Sequence, residues 1–332
     1  MAEPMSQEWL DLVDEDIVDP NQSIVDPHHH LWPVGGALPY GLAELTADTT
    51  CGHRIERTVF VECDAAYRAD GPAHLAPVGE TEFVAGEALR DPNRLIGAIV
   101  AYADLTDGAH LDEVLAAHEA AGQGLFRGIR HRGAHAIEPE ALRLPGTAPV
   151  GLYADPAFRA GVAELGSRGL TYDPWHYHYQ NRDFADLARA VPGTTMVLDH
   201  FGTPLGVGRF AGSREEIFQQ WQVDIAEIAK CPNVVAKLGG LAMPDNGFGW
   251  DTAERPPTSD EFVAAQARYY LHAIECFGPD RCMFESNFPV DRWSLSYKVL
   301  WNALKKIAAP FSPTERDAMF RGTATRVYRL ES

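Results

Sequence analysis

Short β-branched and apolar runs alternate with longer stretches of helical period along this chain. The runs at 24–27, 57–63, 95–101, 126–130, 169–172, 195–199, 233–238 and 282–285 predict strands. Segments near 80–90, 110–121, 156–167, 182–190, 214–230, 259–277 and 294–308 predict helices. Ser213-Arg-Glu-Glu reads as an N-cap with an acidic first turn. Eight strands, nearly all followed by a helix, predict an α/β fold, a parallel (β/α)8 barrel in one domain. A doubly wound sheet is the alternative, and no GxGxxG follows the first strand to support it. Residues 1–22 read as an N-terminal extension and 23–332 as the barrel. Segments 31–56, 132–155 and 241–258 read as long structureless loops; each follows a strand end, the catalytic face of a barrel.

Composition narrows the function classes. The 332 residues are 45% hydrophobic, enough for a large core, and carry a net charge of −19. So acidic a surface argues against nucleic acid and anionic membranes, while local arginines can still reverse the field inside a pocket. No basic and apolar leader and no transmembrane-length run is visible, so a cytoplasmic location is expected. The five cysteines, Cys51, Cys63, Cys231, Cys276 and Cys282, lack CxxC spacing and read as reduced core thiols.

The candidate chemistry begins at Ile24-Val-Asp-Pro-His-His-His-Leu-Trp. Ile24, Val25 and Pro27 read as a buried strand reaching its end, and period-two alternation puts His28 and His30 on one side with His29 opposite. Two imidazoles so placed make half of a metal or proton-transfer site. Other strand ends add Glu62, Arg130, Asp173, Asp199, His200, Lys237, Glu285, Asn287 and Asp291, which a barrel would bring to one mouth. Arg130 suits a carboxylate or lactone oxygen. His176 and His178, among Trp175, Tyr177 and Tyr179, read either as pocket lining or as an interface patch. Glu62 and Lys237 read equally as site groups and as salt-bridge partners, and Asp199 as a group orienting a histidine.

These motifs, with Phe126-Arg-Gly-Ile-Arg, Val197-Leu-Asp-His-Phe-Gly-Thr-Pro and Met283-Phe-Glu-Ser-Asn-Phe-Pro-Val, resemble the amidohydrolase superfamily, most closely its lactonase-like branch, from about residue 22 to the C-terminus. The resemblance implies a TIM-barrel enzyme with His28 and His30 as the first-strand pair and His200 as the sixth-strand histidine. The family's eighth-strand aspartate, its general base and in some members a metal ligand, is here Asn287, an amide that does not titrate. Glu285, Asp291 or Glu62 would then have to activate water. The resemblance implies a divalent ion, zinc first and manganese second, on His28, His30, His200 and Glu62; a metal-free site using Arg130 and the histidines is the alternative. Hydrolysis of a lactone or related cyclic ester leads, with catalytic His28, His30, His200, Glu285 and Asp291. Arg130, His176, His178, Lys237 and Asn287 would bind the substrate, a small carboxylate or lactone. A lyase (decarboxylase or hydratase) on an aromatic-derived acid and a catalytically lapsed binding barrel are the rival readings, and a homodimer is the default assembly.

Overall fold

A computed structural model describes residue 3 and residues 5–330. Eight parallel strands run in chain order around one sheet: β1 (Ser23–His29), β2 (Arg54–Val61), β3 (Ile96–Ala101), β4 (Phe126–Ile129), β5 (Thr171–Tyr172), β6 (Met196–Leu198), β7 (Val234–Leu238) and β8 (Cys282–Phe284). A short helix, α1 (Gln7–Leu10), precedes β1. The crossovers are α2 (Leu42–Thr49), α3 (Val78–Arg90), α4 (Leu111–Ala121), α5 (Pro156–Ser167), α6 (Asn181–Ala190), α7 (Arg214–Ala229) and α8 (Ser259–Phe277), with α9 (Tyr297–Ala308) after β8. A single isolated parallel bridge, His29 to Phe288, brings the last strand end back to the first. The expected (β/α)8 barrel is what forms.

Alternation divides the core into two layers. Val25, Val59, Val61, Ala98, Val100, Val197, Val235 and Met283 fill the barrel interior with Tyr328 and Leu330 of the C-terminal segment. Their strand neighbours Ile24, Phe60, Ile99, Leu198 and Ala236 pack outward under the helices. Each buried Val, Leu or Phe contributes roughly 1.5–3 kcal/mol relative to exposure.

Two local expectations are corrected. First, β1 does not stop at Pro27 but runs on to His29. Second, the 31–56 segment is not structureless, because α2 lies within it, capped by the Glu44 carboxylate on the Gly41 N–H at 2.9 Å. Ser213 is the N-cap of α7, with Glu215 and Glu216 in the first turn as read, although its side chain makes no cap hydrogen bond; Thr258 builds a full capping box with Glu261 on α8. The segment before β1 lies against the barrel. Trp9 is fully buried and its indole N–H donates to the Ala253 carbonyl at 3.0 Å, and Glu15 accepts from the Ser259 N–H at 2.7 Å. Among the described residues no helix is long and apolar enough to cross a membrane.

Candidate active site

The first strand presents its histidines through a bulge. Val25 faces the interior, so unbroken alternation would turn His29 inward too. A register shift between Asp26 and His29 inverts the phase, and His28 and His30 face the interior instead. His29 then points outward and shares a hydrogen bond with the Thr58 hydroxyl at 2.9 Å. Asp26 ties this strand end to the eighth, accepting from the Ser286 N–H at 3.0 Å and the Tyr297 hydroxyl at 2.9 Å.

His28, His30 and His200 converge as the sequence predicts. The His28 ring centroid lies 4.9 Å from that of His30 and 4.5 Å from that of His200. Glu285, wholly buried, accepts from Nδ1 of His200 at 2.7 Å, and its other oxygen lies 2.9 Å from Nδ1 of His28. Burial alone would raise the Glu285 carboxyl, but the two imidazoles outweigh it and hold the group at about 2. Burial, and then the Lys237 ammonium, pushes His28 well below the usual imidazole range; burial and Arg130 do the same to His30. A neutral His28 with its proton on Nδ1, towards Glu285, leaves Nε2 as the acceptor. His30 is held the same way, its Nδ1 bonded to the Val61 carbonyl at 2.7 Å.

Glycines make room for this arrangement. A Cβ at Gly239 would lie 2.4 Å from Cγ of Glu285, and one at Gly240 (φ +73°) 2.3 Å from Nδ1 of His200. Any larger residue there would displace the carboxylate or the imidazole.

Beneath the histidines sits a buried cation. Lys237 Nζ lies 2.9 Å from Asp173, 3.1 Å from Asp199 and 3.4 Å from Nδ1 of His28. Burial opposes its charge, yet Asp199 and Asp173 outweigh that and raise the ammonium above its ordinary value. Asp173, also bonded by the Tyr328 hydroxyl at 2.5 Å, is raised by burial. Lys237 is therefore a buried ion-pair partner under the site. Of its two readings the salt-bridge partner is the one this geometry matches, and Lys237 does not line the cavity.

Above the histidines opens a cavity of about 340 Å³. His30, His200, Arg130 and Asn287 supply its polar end, and Trp32, Trp175 and Trp293 much of its apolar wall. Arg130 Nε donates to Glu62 at 2.7 Å, and its Nη1 lies 3.4 Å from Nε2 of His28. Arg132, which sequence reasoning missed, also binds Glu62, through Nε at 2.9 Å, and bonds Asp64 at the rim. Two guanidinium groups thus occupy Glu62, which does not take the metal-ligand position expected of it. The Arg-His-Arg spacing at 130–132 was the available signal, since residues two apart at a strand end share a side.

Other expectations also change. His176 and His178 do not line the cavity: His176 is buried between the Tyr153 hydroxyl (3.0 Å) and Asn181 Oδ1 (2.9 Å), and His178 Nδ1 accepts from the Leu205 N–H at 3.3 Å. The strand before them has only two residues, and the chain turns away after Pro174. Asn287 does reach the cavity, and its Nδ2 donates to Asp291 at 2.8 Å. Burial raises Asp291 to about 7. Neither Glu285 nor Asp291 lines the cavity, so neither replaces the missing aspartate at its wall.

Comparison with known proteins places this geometry. The profile of the amidohydrolase family matches residues 25–330. An uncharacterised protein of Sinorhizobium fredii, y4mH, is 32% identical over 93% of this chain and 99% of its own length. A Burkholderia multivorans protein named L-fucono-1,5-lactonase is 30% identical over 62% of this chain and 65% of its own. A crystal structure of a Burkholderia multivorans amidohydrolase with bound zinc superposes with a TM-score of 0.70 at 26% identity, covering 93% of this chain and 99% of that one. The chain is an enzyme belonging to the amidohydrolase family.

Proposed function

We propose that the protein hydrolyses a lactone or related cyclic ester of a small organic or sugar acid. The carrying observation is the His200–Glu285–His28 constellation, of which His200 lines the polar end of the cavity. The names of the lactonase relatives support the same reaction class. Glu285 fixes the His200 tautomer and leaves Nε2 free, and His200 lines the cavity. His200 then takes the proton from the attacking water and returns it to the ring oxygen when the ester opens, backed throughout by the carboxylate. On this reading His200, rather than Glu285 or Asp291, activates water. Arg130, fixed by Glu62, presents guanidinium N–H groups to the carbonyl oxygen as negative charge develops there.

A divalent cation, zinc first and manganese second, suits the donor set. His28, His200 and Glu285 place donor atoms within 4.8 Å of one another, but Glu285 sits at hydrogen-bond distance from both rings and reads as their support. His28 and His30, each with Nδ1 facing an acceptor, would offer Nε2 to the ion and leave Nε2 of His200 to the water. Around Lys237 three carboxylates, Asp173, Asp199 and Glu285, face the ammonium and one guanidinium, Arg130 at 3.8 Å from Asp199, a negative excess that a dication would offset. When bound, such an ion polarises the ester carbonyl and lowers the pKa of water. Five free thiols suit the reducing cytoplasm.

Acid release from L-fucono-1,5-lactone and from an aromatic lactone, followed in weakly buffered indicator, tests this reading. Turnover should occur without carbon dioxide, and His200→Asn should lower it by about 10²–10⁴-fold, the usual worth of a positioned base. Elemental analysis should find a metal that His28→Ala/His30→Ala loses. Carbon dioxide release from an aromatic acid would favour a decarboxylase, a reading that the untitratable amide of Asn287 motivates.

A further inference from the structure

A second chamber lies beside the active-site cavity. Its volume is about 290 Å³, and it shares Asp64, Arg132, Pro145 and Trp175 with the first as a common wall. Its far side is formed by Tyr102, His131 and the 146–149 segment. The first cavity is polar at one end and walled by three tryptophans, whereas this one is lined by hydrogen-bonding groups. We infer that the side chamber is a binding subsite for a neutral, hydroxylated arm of the substrate, with the reacting ring held in the main cavity.

Donors and acceptors are both on hand. His131 Nδ1 accepts from the Leu105 N–H at 3.1 Å, so the neutral ring carries its proton on Nε2, which has no partner among the described residues. The Tyr102 hydroxyl also has none among them, and so can donate or accept. Thr147 adds a second hydroxyl, on an exposed residue. Charge decides the class of arm. Arg132 is already paired with Glu62 and Asp64, so a carboxylate entering here meets a neutralised cation and the Asp64 charge. A hydroxyl-bearing arm meets no such repulsion, and each of its O–H groups can pair both ways.

The inference rests on the lactonase reading for the ring and is tested separately from it. The probes are two lactams that cannot be hydrolysed as esters, 5-butylpyrrolidin-2-one and 5-(1,2,3,4-tetrahydroxybutyl)pyrrolidin-2-one, whose arms differ only in hydroxyls. Binding is read from quenching of tryptophan fluorescence, because Trp32, Trp175 and Trp293 line the main cavity. The wild type should bind the hydroxylated probe about tenfold more tightly. Tyr102→Phe and Thr147→Val should each erode that preference roughly two- to tenfold, the worth of a hydrogen bond or two, and leave the butyl probe unchanged. A wild type that binds neither probe, or the butyl probe as tightly, overturns the inference; so does a preference untouched in both variants. Hydrolysis of the matching lactones without arm preference would defeat the subsite and keep the lactonase. Preferential lactam binding without hydrolysis would do the reverse.

Discussion

Glu285→Gln is expected to lower kcat/KM by about 10²–10⁴-fold with little change in KM, because one carboxylate orients both His28 and His200. The glutamine side chain keeps the volume but presents an amide where an imidazole N–H must be accepted. One of the two rings then loses its acceptor and, with it, its tautomer. Steady-state kinetics on whichever lactone turns over would measure this, and a fall of less than tenfold would remove Glu285 from the mechanism. A second signature is thermodynamic. The Glu285 carboxyl ionises at about 2 in the fold against its ordinary 4.5, so its contribution to stability is present above pH 4.5 and is lost as pH falls towards 2. Acid unfolding of the wild type should therefore steepen below pH 4.5, and the Glu285→Gln protein should lack that component.

Lys237→Met should destabilise the fold by roughly 3–5 kcal/mol, as expected when one partner of a buried ion pair is removed. Asp173 would be left buried without a counter-charge, Asp199 would keep only Arg130 at 3.8 Å, and His28 would lose the ammonium 3.4 Å from its ring. Urea denaturation would report the loss. The double variant Lys237→Met/Asp199→Asn should recover part of it, which a simple packing defect at Lys237 would not. An unchanged midpoint in the single variant would mean that the nest is already neutral through shared protons.

The barrel was legible because period-two runs and helical segments alternate eight times, and tertiary packing here reinforces local propensity. Much of the candidate site was legible for a related reason: in a parallel barrel every strand end points to one face, so His28, His30, Arg130, His200 and Asn287 could be gathered without knowing the loops. What stayed hidden needed three dimensions. The bulge in β1 is invisible in sequence, although spacing by two puts His28 and His30 together in either phase. His176 and His178 have the same spacing but follow a two-residue strand, and without a ladder to fix their direction they turn into the packing of α6 and the 205–210 segment. Glu62 shows at once as a strand-end carboxylate; that two guanidinium groups claim it depends on Arg132, whose reach is set by a loop. The tryptophan wall comes from three loops far apart in the chain, and no periodicity connects them.

The seam between the first and last strands has a consequence for how this enzyme matures. The His30 N–H donates to the Phe288 carbonyl at 2.8 Å and the Asn287 N–H to the His28 carbonyl at 3.0 Å, so the join runs through the His28–His30 strand end itself. Contacts of so long a sequence separation are costly in loop entropy and form late unless a nucleus bridges them. A nascent chain on the ribosome cannot own a working site until residues beyond 288 have emerged, however much of the barrel has already folded. Activity in this enzyme counts only the molecules whose two ends have met.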